Sequence, residues 1–138
     1  TPAIEKINRA RDLPQIKQAP MQWGGGFMVI PHPVEVVNIM KSVPYGKTIT
    51  IDVIRNRLAV SHNVDIACPI TTGLFISIAA KSYAEGDDWV PYWRTLKRNS
   101  ELNAKFPGGL EDHREKLASE GHTIREKGSK LFASPPRK

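Results

Sequence analysis

Helical periodicity interrupted by proline and glycine constrains the fold of this chain more than any other feature. Apolar residues recur at intervals of three and four in three stretches. A fourth stretch, GLEDHREKLASEG, has an acidic first turn and a glycine stop at Gly121. The chain has 138 residues, of which 40% are apolar, so it can form one core and a second domain would be crowded. We therefore predict one mainly α domain, with helices near residues 33–43, 50–59, 71–84 and 110–120.

Prolines and threonines mark the expected helix starts. Pro33 fits the first turn of the first helix, where a proline nitrogen needs no hydrogen bond. Thr50 is expected to cap the second helix, and Thr71 or Thr72 the third. The apolar face of the first helix is predicted to contain Val34, Val37, Ile39 and Met40.

Chain breaks predict three segments. Pro14, Pro20 and the glycines at 24–26 separate a short charged N-terminal helix from the rest. The last residues predict a small hairpin that turns at residues 127–129, followed by a loose basic end. The expected segments are an N-terminal extension packed on the domain in residues 1–31, the main domain in residues 32–122, and the hairpin and tail in residues 123–138.

The charge balance favours a polyanionic partner. Twenty Lys and Arg against fourteen Asp and Glu give a formal net charge of +6, which attracts polyanions over a long range. The single cysteine, Cys68, cannot form an internal disulfide, and no apolar run approaches the roughly 20 residues that span a bilayer. The four histidines lack the spacing of metal ligands. We therefore expect a cytoplasmic protein without membrane, metal or cofactor.

The second and third predicted helices suggest a helix-turn-helix. Their connection, SHNVDIACP, is longer than the usual turn of three or four residues. An ordinary helical pair therefore remains an alternative at this point.

Three motifs carry a family resemblance: PYGKTITIDVIRNRLA, PYWRTLK and ELNAKFPGGLEDHREKLASEGH. In this order they resemble the DNA-binding and active-site domain of methylated-DNA protein-cysteine methyltransferases, across residues 32–122. In that family a Pro-Cys-His-Arg motif supplies the cysteine that accepts an alkyl group from guanine. Here Pro91 and Arg94 remain, but Tyr92 stands at the cysteine position and Trp93 at the histidine position, whereas Glu120 matches the family's carboxylate. The resemblance implies a winged helix-turn-helix-like DNA-binding domain with a small β element.

The replaced residues argue against alkyl transfer. That reaction needs a thiolate and a histidine base, and a tyrosine hydroxyl with a pKa near 10 is a poor substitute for the thiolate. In this respect the sequence resembles alkyltransferase-like proteins, in which the cysteine is replaced and which bind damaged DNA without repairing it directly. Two family features that support base flipping are also missing, because Ile51 aligns with the tyrosine that rotates the phosphate and ACPITTGLF contains no arginine finger.

The resemblance predicts a base pocket and a DNA-binding face. Tyr92 either stacks on an altered base or plugs a vestigial cavity, Trp93 is expected to pack, and Arg94 to hold a carboxylate or a carbonyl. The basic groups of the DNA-binding face have an alternative as a solvated surface. The base-pocket residues are Tyr92, Trp93, Arg94, Phe106, Pro107, Gly108 and Glu120, and the DNA-binding residues are Thr71, Thr72, Ser77, Lys97, Arg98 and Lys105.

Three hypotheses for function follow. The first is a monomeric, non-catalytic protein that binds double-stranded DNA, recognises alkylated guanine and passes it to a downstream repair protein. The second is an enzyme, either an alkyltransferase using Cys68 or another activity in the remodelled pocket. The third is an interaction module that has kept only the fold. An acidic cluster, Glu85, Asp87 and Asp88, would repel phosphate if it faced the duplex.

Overall fold

A computed structural model describes Ala3, Glu5 and residues 12–134 of the chain. Ala3 and Glu5 are helical. The remainder of the predicted N-terminal helix and the last four residues of the basic tail lie outside the described residues. The division into three segments stays a prediction.

All four predicted helices are present, each with ends within two residues of the prediction. They are α1 (Pro33–Lys41), α2 (Ile51–Ser61), α3 (Pro69–Ala84) and α4 (Gly109–Ser119). The predicted face of α1 needs one correction, because Val34 is 37% exposed and the buried apolar residues are Val36, Val37 and Met40. Val34 lies in the first turn, where its N–H donates a hydrogen bond to Nδ1 of the capping residue His32.

The predicted caps of α3 are wrong. The helix begins at Pro69, two residues early, because proline fits the first helical position and leaves Cys68 as the N-cap. Thr72 is fully buried and its hydroxyl donates to the carbonyl of Cys68 at 2.7 Å. Thr50 does occupy the N-cap position of α2, without a hydrogen bond from its side chain.

In the described part of the chain, seven short strands form three small sheets. The strands are β1 (Gln15–Gln18), β2 (Phe27–Ile30), β3 (Ile49–Thr50), β4 (Ile66–Ala67), β5 (Thr95–Leu96), β6 (Thr123–Lys127) and β7 (Lys130–Ser134). β2 pairs antiparallel with β1 and parallel with β4, and β3 pairs parallel with β5. β6 and β7 form an antiparallel hairpin, with Lys127 opposite Lys130, at the predicted turn.

Two of these pairings position the candidate site. β4 lies within residues 62–68, which explains why the connection between α2 and α3 exceeds a simple turn. β3 places Thr50, at the start of α2, opposite Leu96 of β5. One cluster of buried apolar side chains forms the core, and it is drawn from all four helices and from β2, β3, β4, β5 and β7. Among the described residues, no helix is long and apolar enough to span a membrane.

Candidate nucleic-acid interface

Residues 91–108 precede α4 and carry most of the predicted site. They make a 3₁₀ turn at Tyr92–Arg94, continue as β5, and make a second 3₁₀ turn at Arg98–Ser100. Residues 91–96 are buried, whereas residues 97–99 are exposed. The first part of the segment therefore belongs to the core, and the second part is available at the surface.

Tyr92 is packed inside the protein, with 2% of its surface exposed. Its ring contacts those of Tyr83, Trp93 and Phe106, with centroids 5.5, 5.4 and 5.2 Å away. Its hydroxyl donates to Asp112 Oδ2 at 3.1 Å. Burial, and then the hydrogen bond and charge of Asp112, raise the pKa of Tyr92. The phenol is therefore neutral at physiological pH and a poor nucleophile.

Trp93, Arg94 and Glu120 form a buried network. The indole N–H of Trp93 donates to Glu120 Oε2 at 2.9 Å, and Arg94 Nη2 donates to the same oxygen at 2.8 Å. Arg94 Nη1 also donates to the carbonyl of Val43 at 2.9 Å. The sequence analysis expected Arg94 to hold either a carboxylate or a carbonyl. In the structure it holds both, Glu120 and the carbonyl of Val43.

Glu120 is held as an anion. Burial alone raises the pKa of its carboxyl, but hydrogen bonds from Arg94, Trp93 and the Gly46 N–H, together with the Arg94 charge, bring the pKa below its ordinary value. The indole N–H of Trp93 is a donor only. Trp93 therefore supplies no general base beside residue 92.

Two residues of α4 that the sequence analysis did not select bond to the segment that carries Tyr92 and Trp93. Asp112 accepts the Tyr92 hydroxyl, and His113 is fully buried. The His113 ring joins two parts of the preceding segment, since Nδ1 accepts from Asn103 N at 3.1 Å and Nε2 lies 2.8 Å from Trp93 O. Burial lowers the pKa of His113, although the bond to Trp93 O opposes this. His113 could have been found from the sequence, because Leu110, His113 and Leu117 follow the three- and four-residue spacing of one helix face.

The Phe106–Gly109 turn packs against Tyr92. The Phe106 ring also contacts the His113 ring, with centroids 5.1 Å apart. Gly108 has a φ of 86°, and a Cβ there would lie 2.5 Å from Asp112 Cβ, so only glycine fits. The structure thus brings together all seven predicted base-pocket residues, as a largely packed cluster: Tyr92, Trp93, Arg94, Phe106, Pro107, Gly108 and Glu120.

An open groove of about 640 Å³ runs between α3 and the exposed part of the segment before α4. Lys97 and Arg98 pair loosely with carboxylates at 3.6 and 3.9 Å, and Lys105 has no ion pair within the described chain. All three cations line the groove. The predicted residue Ser77 also lines it, together with the apolar side chains of Ile51, Ile70 and Leu74.

The remaining two predicted DNA-binding residues are placed differently. Thr72 is fully buried, and the Oγ1 atom of Thr71 is buried without a partner among the described residues. Their hydroxyls are therefore not at the surface of the groove, and we leave them out of the proposed interface. The residues exposed at this end of α3 are Ile70, at 68%, and Leu74, at 53%.

The acidic cluster after α3 is partly engaged within the protein. Glu85 Oε1 accepts the backbone N–H of Ala3 at 2.9 Å, and Asp88 pairs with Lys41 of α1 at 2.8 Å. The Lys41 charge offsets part of the repulsion that Asp88 exerts on a phosphate.

Cys68 is buried at the start of α3, with 6% of its surface exposed. Such a thiol is poorly accessible to a bulky alkylated base. Within residues 12–134 and the two described N-terminal residues, His, Cys, Asp and Glu side chains form no group of three that could hold a metal ion.

Comparison with solved structures identifies the fold. A crystal structure of S. pombe ATL in complex with DNA superposes with a TM-score of 0.54 at 16% identity, over 74% of this chain and 86% of that chain. The chain has the fold of an alkyltransferase-like protein. S. pombe Atl1 in complex with damaged DNA containing O6-carboxymethylguanine gives a TM-score of 0.53 at 17% identity, over 73% of this chain and 85% of that one.

Sequence comparison gives no further relatives. No protein-family model matches the chain, and no curated protein matches its sequence. At 16–17% identity the alkyltransferase-like structures establish a shared fold. The chemistry of this chain is therefore argued from its own residues.

Proposed function

We propose that this protein is a non-catalytic, monomeric DNA-binding protein that recognises alkylated guanine in duplex DNA and presents it to a downstream repair protein. The observation that carries the proposal is the convergence of Lys97, Arg98 and Lys105 on one groove beside α3. Lysine and arginine side chains that converge on a groove can neutralise DNA phosphates. This neutralisation supplies a large share of the affinity in DNA binding. The fold shared with two DNA-bound structures supports the same partner.

In this proposal, α2, residues 62–68 and α3 act as a helix-turn-helix, and the β6–β7 hairpin is the wing. α3 would lie along a DNA groove while the three cations contact the backbone. The base-pocket cluster around Tyr92 would form a rigid wall next to the altered base. Its packing supports this role, because preorganised side chains lose little entropy on binding.

The absence of alkyl transfer is the first expected result. Residue 92 carries a neutral phenol and residue 93 a donor-only indole, so this pair offers neither thiolate nor base. After incubation with an O6-methylguanine oligonucleotide, intact-protein mass spectrometry should find the unmodified mass. A methyl adduct on the wild type that disappears in Cys68→Ala would identify Cys68 as an acceptor and overturn the non-catalytic assignment.

The second expected result concerns phosphate contacts. Lys97→Ala combined with Arg98→Ala should weaken binding to modified and unmodified duplexes alike and lower the magnitude of the salt slope, log Kd against log salt, by about two. Fluorescence anisotropy at several salt concentrations measures both. Lys17→Ala with Arg114→Ala removes the same charge from exposed residues that do not line the groove, and should leave the slope nearly unchanged. A Lys97/Arg98 variant that binds as tightly as wild type at low salt would exclude the groove as the interface.

A further inference from the structure

A second basic pocket lies beside the start of α2, apart from the groove. It has a volume of about 430 Å³ and lies between the C-terminal end of α1, the loop before β3 and one face of α2. Lys47 of the loop and Arg57 of α2 both line it. Its lining contains no acidic residue, and neither cation has an ion pair among the described residues. The pocket therefore carries two positive charges that the described chain does not neutralise.

The other polar groups of this pocket suit an oxyanion. Thr48, Thr50 and Ser100 bring hydroxyl groups to its lining, and hydroxyls are common donors to phosphate oxygens. The side chain of Thr50 makes no capping bond to α2, so its hydroxyl is free to donate. Asp52, the acid nearest in sequence, lines a different pocket and pairs with Arg98. The lining thus offers donors and positive charge without a carboxylate to repel an anion.

The Arg98–Ser100 turn lies between this pocket and the groove. Arg98 lines the groove and Ser100 lines the pocket, although only Asn99 separates them. Asn99 and Ser100 have φ of 63° and 64°, in the left-handed region that residues other than glycine rarely adopt. A polyanion that leaves the groove across this turn therefore meets the second pair of cations.

The exposure of Lys47 and Arg57 decides between a free anion and a polymer. Both residues are exposed, and exposed charges hold a lone phosphate weakly because water and salt screen them. DNA held in the groove differs, since it presents its neighbouring phosphates at a high effective concentration. The first helix of a helix-turn-helix also crosses the DNA backbone, and α2 is that helix in the proposed function.

We propose that this pocket binds a backbone phosphate of the duplex that the groove holds, outside the groove itself, with Lys47 and Arg57 as its cations. The inference rests on the proposed function and gives the protein a longer DNA footprint than the groove alone provides. The two spaces share no lining residue, so each can be removed without the other.

Paired substitutions test the pocket. Lys47→Ala with Arg57→Ala removes two exposed charges that make no ion pair, so the melting temperature should change little. Lys47→Arg with Arg57→Lys keeps both charges and should bind DNA as wild type does. Lys17→Ala with Arg114→Ala is the matched control, because it removes the same charge from exposed residues that line neither space.

Methylphosphonate substitution of the DNA gives the readout. Each phosphate of a duplex with O6-methylguanine is replaced in turn by a neutral methylphosphonate, and fluorescence anisotropy measures Kd. Replacing a phosphate that contacts the pocket should weaken binding by wild type about fivefold, as for one exposed ion pair, and should have no effect on the Lys47/Arg57 alanine variant. The Lys97/Arg98 variant should instead lose sensitivity at other positions. The salt slope of the Lys47/Arg57 variant should be smaller than that of wild type by about two, whereas the control should keep it.

Each contrary result has its own meaning. A Lys47/Arg57 alanine variant with the salt slope and the methylphosphonate profile of wild type would overturn the pocket and leave DNA binding by the groove intact. Equal weakening at every phosphate would reveal a general charge effect and would also overturn it. Saturable binding of inorganic phosphate that this variant abolishes, with an unchanged DNA profile, would assign the pocket to a free anion. A wild type that binds no duplex would overturn the proposed function and the pocket with it.

Discussion

Arg94→Ala is expected to destabilise the protein by about 3–5 kcal/mol, because it leaves Glu120 charged and buried without its partner. The side chains of Arg94 and Glu120 are only 8% and 4% exposed, and Arg94 also satisfies the carbonyl of Val43. Urea denaturation followed by circular dichroism measures the loss. Arg98→Ala is the matched control, since this arginine pairs with Asp52 across 3.9 Å at the surface and should cost less than about 1 kcal/mol.

The same ion pair predicts a pH dependence. The pKa of Glu120 lies below its ordinary value of 4.5, so the folded state binds fewer protons than the unfolded state as the pH falls through this range. The stability that Glu120 contributes is complete above the ordinary value and is lost as the pH falls through the folded pKa. Glu120→Gln should be less stable at neutral pH and should show a shallower fall in melting temperature in acid. Equal acid slopes in the variant and wild type would show that the ion pair does not stabilise the fold.

Tyr92→Ala should also cost about 3–5 kcal/mol, because it removes a fully buried ring that contacts three others. Tyr92→Phe keeps the ring and loses only the hydrogen bond to Asp112, so it should cost about 1 kcal/mol. Comparing the two variants separates packing from hydrogen bonding. Equal losses in both would mean that the hydroxyl, not the ring, stabilises this cluster.

The raised pKa of Tyr92 also predicts how the stability of the protein changes in alkali. Its pKa is raised, so the folded protein retains the phenolic proton above pH 10.0, where an unfolded tyrosine releases it. The stabilising contribution is therefore present below the ordinary tyrosine pKa and declines as the pH rises above it. Tyr92→Phe should show a smaller alkaline loss of stability than wild type.

The helices were predictable because their signals are local. Apolar spacing and end residues located all four to within two residues, and the hairpin followed from its turn. The parallel pairs β2–β4 and β3–β5 were not predictable, since each pairs only two residues of one strand with two residues of another that is far away in sequence. The start of α3 was misplaced because Pro69 can begin a helix just as a threonine cap can.

The sequence named residues that lie together in the structure, but it did not predict which of their side chains are buried or what they bond to. The resemblance identified Tyr92 and Glu120, and the three cations do meet in one groove. Sequence alone could not indicate that Tyr92 is packed by α4, because the Asp112 contact depends on tertiary structure. It also could not indicate that Lys47 and Arg57 line one pocket, since the loop before β3 and the face of α2 meet only in the folded chain.

The burial of Tyr92 has an evolutionary consequence. Tyrosine and cysteine codons differ by one nucleotide, so a thiol at residue 92 is genetically close. In this fold, that single change would empty the space between Tyr83, Trp93 and Phe106 before any base existed to activate the thiol. An intermediate of this kind would be less stable and no more reactive, and selection would remove it. A route to a reactive cysteine here would therefore need refilling of the cavity and replacement of Trp93 in the same lineage.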